Sequence, residues 1–272
     1  SKYAGSYAPK NAFYQPWVNR LDLHIDQDIP MHFKTAKLKL FLDFTNFGNF
    51  ISKGLFNYVY RAPSVVNDVF ERKLVGNCRD HSTLLASMLR HQGIPARARC
   101  GFGAYFMPNH FEDHWVCEYW NADEKRWVLV DAQLDALQRE KLGVTFDVLD
   151  VPRDAFIVGG QAWQMCRSGK ADPDAFGIFN MKGLWFVRGD FVRDVAALNK
   201  VETLPWDGWG LADAGDEDLT PNDYALLDRL AELTAGDVPE FDTVRALYDS
   251  DPRLRVPKAV NSYTDGGRQL VE

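Results

Sequence analysis

A cysteine, a histidine and an aspartate define the chemistry open to this chain. Cys78 stands near the start of "GNCRDHSTLLASMLRHQGIPARARCGF", residues 76–102, at the point where an amphipathic helix should begin. Leu85 and Leu89 follow it by 7 and 11 residues, which puts all three on roughly one face of a 3.6-residue period. Gly93 is expected to end the helix, and Pro95 to turn Ile94 into extended chain and so into a strand. A thiol in that first turn meets unpaired backbone N–H groups and the positive end of the helix dipole, both of which favour the nucleophilic thiolate. Its competing role is that of a small buried side chain, since free cysteine is among the most buried residue types.

The partners lie downstream in "EDHWVCEYWNADEKRWVLVDAQLD", residues 112–135. Two strands flank a turn expected at Asn121–Glu124. With Trp120 opposite Lys125, Glu118 faces Trp127, Val116 faces Leu129, and His114 faces Asp131. That register sets the last pair about 5 Å apart at Cβ, so the carboxylate can accept the imidazole N–H. A slip of one residue would send the two to opposite faces. A histidine with an acid opposite it and a helix-start cysteine upstream makes a nucleophile, base and orienter set.

These segments resemble the transglutaminase-like superfamily of cysteine enzymes. The resemblance rests on "GNCRDHSTLLASMLRHQGIPAR" around Cys78, "DHWVCEYW" around His114 and "RWVLVDAQ" around Asp131, in the order Cys, His, Asp with separations of 36 and 17 residues, and it covers about residues 64–135. It implies an α+β, papain-like transglutaminase core in which the Cys78 helix packs on an antiparallel sheet carrying His114 and Asp131. The implied reaction is acyl transfer on an amide or peptide through a thioester, resolved by water or a small amine, with no cofactor and no metal. Cross-linking of proteins, and a catalytically silent binding or scaffold module, are the alternative uses of such a fold. The backbone N–H of Cys78 is expected to meet the oxyanion.

The rest of the chain limits the partners. Its 38 acidic and 31 basic residues, without a basic block, argue against nucleic acid or an anionic membrane surface. The absence of a long apolar run or a secretory leader points to a cytoplasmic protein. Cys78, Cys100, Cys117 and Cys166 are expected as free thiols, with Cys100 and Cys117 in core strands. Residues 1–62 are read as a helical extension, helical over 31–60 with a break near Gly48, and 63–150 as the core, with Ser64 capping a helix to Leu74. Residues 151–272 form a C-terminal mixed extension, in which 183–200 is a packed helix or strand. Thr220, Pro221, Asp223 and Gly236 suit the N-cap, N1, N3 and C′ positions of one amphipathic helix. Trp115, Trp206 and Trp209 are candidate pocket walls, with core anchoring as the other role for each. His110 and His114 share H-x3-H spacing but sit in a loop-to-strand passage, which does not suit zinc. The acidic run 212–223 lacks the pattern of a calcium loop.

Overall fold

In the computed structural model, residues 23–29, 38–44, 76–237, 239–264 and 267–271 are described. The chain divides into two compact units, Ser1–Val75 and Gly76–Glu272. In the first, strands β1 (Leu23–Ile29) and β2 (Leu38–Phe44) form an antiparallel pair with Leu23 opposite Phe44 and Ile25 opposite Leu42. This corrects the helical reading of residues 31–60 at 38–44, and that of the 1–62 extension at 23–29 and 38–44, which are strands. Leu38, Leu40, Leu42 and Phe44 alternate with Lys39 and Asp43, and that period of two prevails over the helical one. The proposed break at Gly48 and the Ser64–Leu74 helix lie outside the described residues.

The second unit begins with helix α1 (Cys78–His91), followed by strands β3 (Ala96–Met107), β4 (His110–Asn121) and β5 (Arg126–Val130). Asn77 caps α1, Gly93 at φ +80 follows its end, and the strand starts right after Pro95. Strands β6 (Phe156–Val158), β7 (Phe176–Ile178) and β8 (Met181–Lys182) complete a sheet ordered β6-β3-β4-β7-β8, with β5 also on β4. Because β3 occupies one edge of β4 throughout, β5 and β7 must share the other. There β7 pairs with Phe111 and Glu112, and β5 pairs from Cys117 onward. Residues 113–116 are left between the two short strands, and His114 is among them. Into that gap α1 sends Ser82, whose hydroxyl lies 2.8 Å from the Trp115 carbonyl and 2.7 Å from the Cys78 carbonyl.

The β4–β5 register differs from expectation by two residues. Trp120 faces Trp127, Glu118 faces Leu129 and Cys117 faces Val130. The turn decides this: the Asn121 side chain accepts the N–H groups of Asp123 at 3.1 Å and Glu124 at 3.2 Å, and Lys125 takes φ 53. The four turn residues are therefore Ala122–Lys125, and Asn121 stays in its strand opposite Arg126. A slip of two preserves the face on which each side chain lies, where a slip of one would not.

Behind the sheet, α1 buries Ser82 and Ala86 completely, and Leu85 and Leu89 pack on Ala96, Cys117, Val128 and Val130. Helices α2 (Ala136–Leu142), α3 (Gly159–Arg167), α4 (Leu184–Leu198), α5 (Gly210–Asp213), α6 (Pro221–Thr234) and α7 (Phe241–Ser250) follow. The aromatic segment at 183–200 is thus the largely buried helix α4, whose Phe191 and Val195 share a core with Phe102, Trp163, Leu227 and Leu230. Each such side chain contributes about 1.5–3 kcal/mol, so residues beyond 150 hold β3 in place as much as α1 does. In α6 the expected cap appears, Thr220 and Asp223 forming a reciprocal box with Pro221 at the first position and Gly236 just beyond the Ala235 cap.

Candidate active site

Cys78 is the first residue of α1, and its surroundings fix that helix end. The Asn77 side chain accepts the Asp80 N–H at 3.1 Å, and Asp80 Oδ2 accepts the Asn77 N–H at 3.1 Å, a capping box worth about 1 kcal/mol. The Arg79 guanidinium reaches away to donate to the Glu202 carbonyl at 2.8 Å and the Thr203 carbonyl at 2.9 Å. At the far end of the helix Arg90 pairs with the Glu202 carboxylate at 2.9 Å. One segment outside the expected core therefore grips α1 twice. The Cys78 thiol is half-buried against Ala98, Cys100, Trp115 and Ala197.

His114 and Asp131 meet in the gap on β4. Asp131 follows the last paired residue of β5, and its N–H donates to the Val148 carbonyl at 2.9 Å. Continuing the observed register, it lies level with Val116, two residues from His114 and not directly opposite. The shared face still brings His114 Nε2 to 2.8 Å from Asp131 Oδ2. With Nε2 so engaged, Nδ1 is the nitrogen left for the sulfur, and Cys78 lies near enough to the ring to help favour its charged form.

Two features missed from the sequence shape this site. The ladder between β3 and β4 is irregular from Gly103 to Met107, and such a bulge re-aims side chains. It lays Phe106 and Tyr105 over the imidazole, with ring centroids 4.8 Å and 6.1 Å away, and the Tyr105 hydroxyl donates to Asp131 Oδ2 at 2.7 Å. Across the ladder from His114 stands Gly101, where an added Cβ would meet the Ile157 carbonyl oxygen at 2.2 Å. Only glycine allows β6 to approach β3 so closely beside His114. The "GFGAYF" run following Cys100 was the available signal, since isolated glycines in a strand mark bulges and close approaches.

The electrostatics follow from burial set against partners. Burial alone would push the His114 imidazole down, but the Asp131 charge, the bond to it and the contact with Cys78 outweigh burial and push it up to about 10. Burial would likewise raise Asp131, yet the His114 charge and the bonds from His114, Tyr105 and the Gln133 N–H hold it below the usual carboxylate range. For the other thiols burial wins: Cys117 is pushed up to about 12, Cys166 to about 11, and Cys100 well above its ordinary value. All four cysteines are free, and Cys100 and Cys117 sit fully buried in the strands, as expected.

Further acids lie close by. Cys100, Asp113 and Asp190 bring three donor atoms within 4.8 Å of one another. Arg193 already holds Asp190 at 3.0 Å, and burial pushes Asp113 up to about 6 and Asp190 well above the usual carboxylate range. Two adjacent buried carboxyls with one guanidinium are neutral when they share a proton, which accounts for the cluster without an ion. His110, of the H-x3-H pair, contacts Glu112 at 3.0 Å and the Gly177 carbonyl at 3.2 Å, while His114 turns to Asp131. Beneath the hairpin Glu118 is held at 2.6 Å by Arg97, 3.1 Å by Arg99 and 2.6 Å by Arg153, and Asp194 of α4 grips Arg99 at 2.9 Å.

The three tryptophans fare differently. Trp115 is 1% exposed beside Cys78, and Trp209 is 3% exposed in the C-terminal core, its indole N–H donating to the Leu254 carbonyl at 2.9 Å. Both anchor core and do not wall a pocket. Trp206 keeps 39% of its surface exposed. Among the described residues no helix is long and apolar enough to cross a membrane. Residues 51–132 match the family model described as the transglutaminase-like superfamily. Comparison with curated proteins and with solved structures found no match.

Proposed function

We propose, for a chain whose residues 51–132 belong to the transglutaminase-like superfamily, that Cys78, His114 and Asp131 act as nucleophile, general acid–base and orienter in acyl transfer from an amide or peptide. The family supports cysteine-based acyl transfer or hydrolysis at its own level. The observation that carries the reading further is the Asp131–His114 bond of 2.8 Å in the gap on β4, with Cys78 near enough to the same ring to favour its charged form.

The imidazolium that Asp131 stabilises is the counter-ion a reactive thiolate needs. The thiolate sulfur attacks the acyl carbon, and the N–H groups at the start of α1, that of Cys78 included, face the developing oxyanion. His114 gives its proton to the departing amine, the C–N bond breaks, and a thioester remains on Cys78. Neutral His114 then takes a proton from water or an incoming amine as that nucleophile attacks the thioester, and Cys78 leaves as thiolate to re-form the pair. Asp131 holds the ring in one orientation throughout and does not titrate. Water or a small amine is the favoured acceptor. Selecting a protein lysine against roughly 55 M water calls for an enclosed dry channel, and two of the three tryptophans that might have built one are core anchors.

The test is incubation with a mixed peptide library followed by intact-mass measurement, with and without a labelled primary amine. Capture of an acyl group on Cys78, lost in Cys78→Ala, with release of free acid or a small amide, is the expected result. No adduct and no turnover across the library would leave a fold without the chemistry.

A further inference from the structure

The Asp131 carboxylate carries more hydrogen bonds than a triad needs, and one of them comes from a residue with no assigned part. Its Oδ2 accepts from His114 Nε2 at 2.8 Å and from the Tyr105 hydroxyl at 2.7 Å, and its Oδ1 accepts the Gln133 N–H at 3.0 Å. The tyrosine and the histidine therefore compete for one oxygen. The Tyr105 ring is held by Phe106 at 4.5 Å and Phe146 at 5.3 Å and stands edge-on to the imidazole. Its hydroxyl cannot swing away without breaking that stack.

We infer that Tyr105 is a positioning residue of the Cys78–His114–Asp131 set: its hydroxyl fixes the Asp131 carboxylate and draws off part of the charge that Asp131 directs at His114. This rests on the acyl-transfer reading for its consequence in catalysis, but its physical content stands apart from any substrate. A second donor on the shared oxygen stabilises the carboxylate whatever the state of the ring, so it weakens the pull on the imidazole proton. The hydroxyl can do this across the working range, because burial and the Asp131 charge both push its own ionisation upward and keep it a donor. The tyrosine thus tempers His114, which must hold a proton at rest and still surrender it to a leaving amine. The charged and titratable groups around the ring are Cys78 from α1, Tyr105 from β3, Glu112 and Asp113 from β4, and Asp131 after β5. Of the groups bonded to Asp131, the Tyr105 hydroxyl and the Gln133 N–H act on it without bearing charge themselves.

Tyr105→Phe keeps the ring stack and deletes the oxygen alone. Titration of the His114 ring by NMR should show its midpoint moving up by about half a pH unit or more in the variant. Alkylation of Cys78 by iodoacetamide at pH 7 should slow severalfold as the carboxylate gains freedom. A 3-fluorotyrosine placed at position 105, a stronger donor of the same shape, should move the midpoint down, which keeps the test decisive if the phenylalanine variant folds poorly. A midpoint unmoved by both changes, or moved in the opposite direction, overturns the assignment. If the midpoint moves as expected while His114→Ala leaves Cys78 alkylation unchanged, the positioning role stands and the acyl-transfer reading falls.

Discussion

Asp131→Asn tests whether the charge at the centre of the site outweighs its burial. The asparagine keeps the shape and one acceptor but removes the charge. In the wild type the His114 side chain is 3% exposed and its pKa stands at about 10, against an ordinary value of 6.5. That difference amounts to roughly 5 kcal/mol in favour of the imidazolium, an upper bound since neighbouring groups respond to it. Between pH 6.5 and 10 the folded wild type binds a proton that the unfolded chain does not. The His114 contribution is therefore complete below pH 6.5 and is lost as pH rises through 10, at up to about 1.4 kcal/mol per pH unit. Without the Asp131 charge burial dominates, the imidazole is pushed below its ordinary value, and this downward slope disappears. Urea unfolding at pH 6.5, 7.0, 7.5 and 8.0, with Cys78→Ala in both proteins so that loss of the thiol proton does not offset the gain on the imidazole, measures both slopes. That window lies above the Asp113 titration near 6 and below that of Cys117 near 12, so these groups contribute alike to both proteins. Parallel stability curves for wild type and variant would refute the electrostatic account of the site, whatever the variant does to activity.

Iodoacetamide at pH 7 should modify Cys78 well before the other three thiols, since burial raises Cys100, Cys117 and Cys166; peptide mass mapping of a time course reads the order, and earlier labelling of Cys166 would count against it. Gly101→Ala should cost about 1–3 kcal/mol in urea unfolding and lower Cys78 reactivity, because the added carbon collides with the Ile157 carbonyl at 2.2 Å on the strand that faces His114. Glu118→Gln should cost about 3–5 kcal/mol by leaving Arg97 and Arg99 buried without their shared counter-charge. In the wild type burial would raise the Glu118 carboxyl, but its arginines hold it at about 2. Its contribution is therefore present above its ordinary value near 4.3 and is lost only as pH falls through about 2; acid unfolding of the variant at higher pH than the wild type is the measurement, and coincident transitions would contradict it.

The parts of the site legible in the sequence were those set by local rules. Gly93 and Pro95 bracketed the end of α1, and alternation along residues 112–131 put His114 and Asp131 on one sheet face, a result that survived a register two residues away from the expected one. What escaped was non-local or needed a backbone irregularity. The glycines of "GFGAYF" signal an irregular strand but not that it folds Tyr105 onto Asp131, and nothing near Cys78 signals that Glu202 and Thr203, more than a hundred residues on, grip Arg79. The helical reading of residues 38–44 failed for another reason. Phe41 breaks the alternation of Leu38, Leu40, Leu42 and Phe44, and an apolar run so filled fits a helix face as readily as a strand.

The gap on β4 explains why the three residues converge at all. A strand paired on both edges offers no backbone approach to a neighbouring helix, and an unpaired edge is normally covered or charged. Here β7 stops at Glu112 and β5 starts at Cys117, so the residues between them can be reached by a helix end. Ser82 supplies the donor that the Trp115 carbonyl would otherwise lack, and it lies one helical turn from Cys78, so the bond that seals the edge also sets the depth of the thiol. Shortening that link should therefore act on Cys78 without touching His114. In Ser82→Ala the Trp115 carbonyl is left unpaired in a buried site, at a cost of about 1–3 kcal/mol, and the first turn of α1 is freed from the strand. Cys78 alkylation should slow while the His114–Asp131 pair keeps its ring titration. A variant that lost the His114 titration together with Cys78 reactivity would show that the helix end and the strand pair are one inseparable unit.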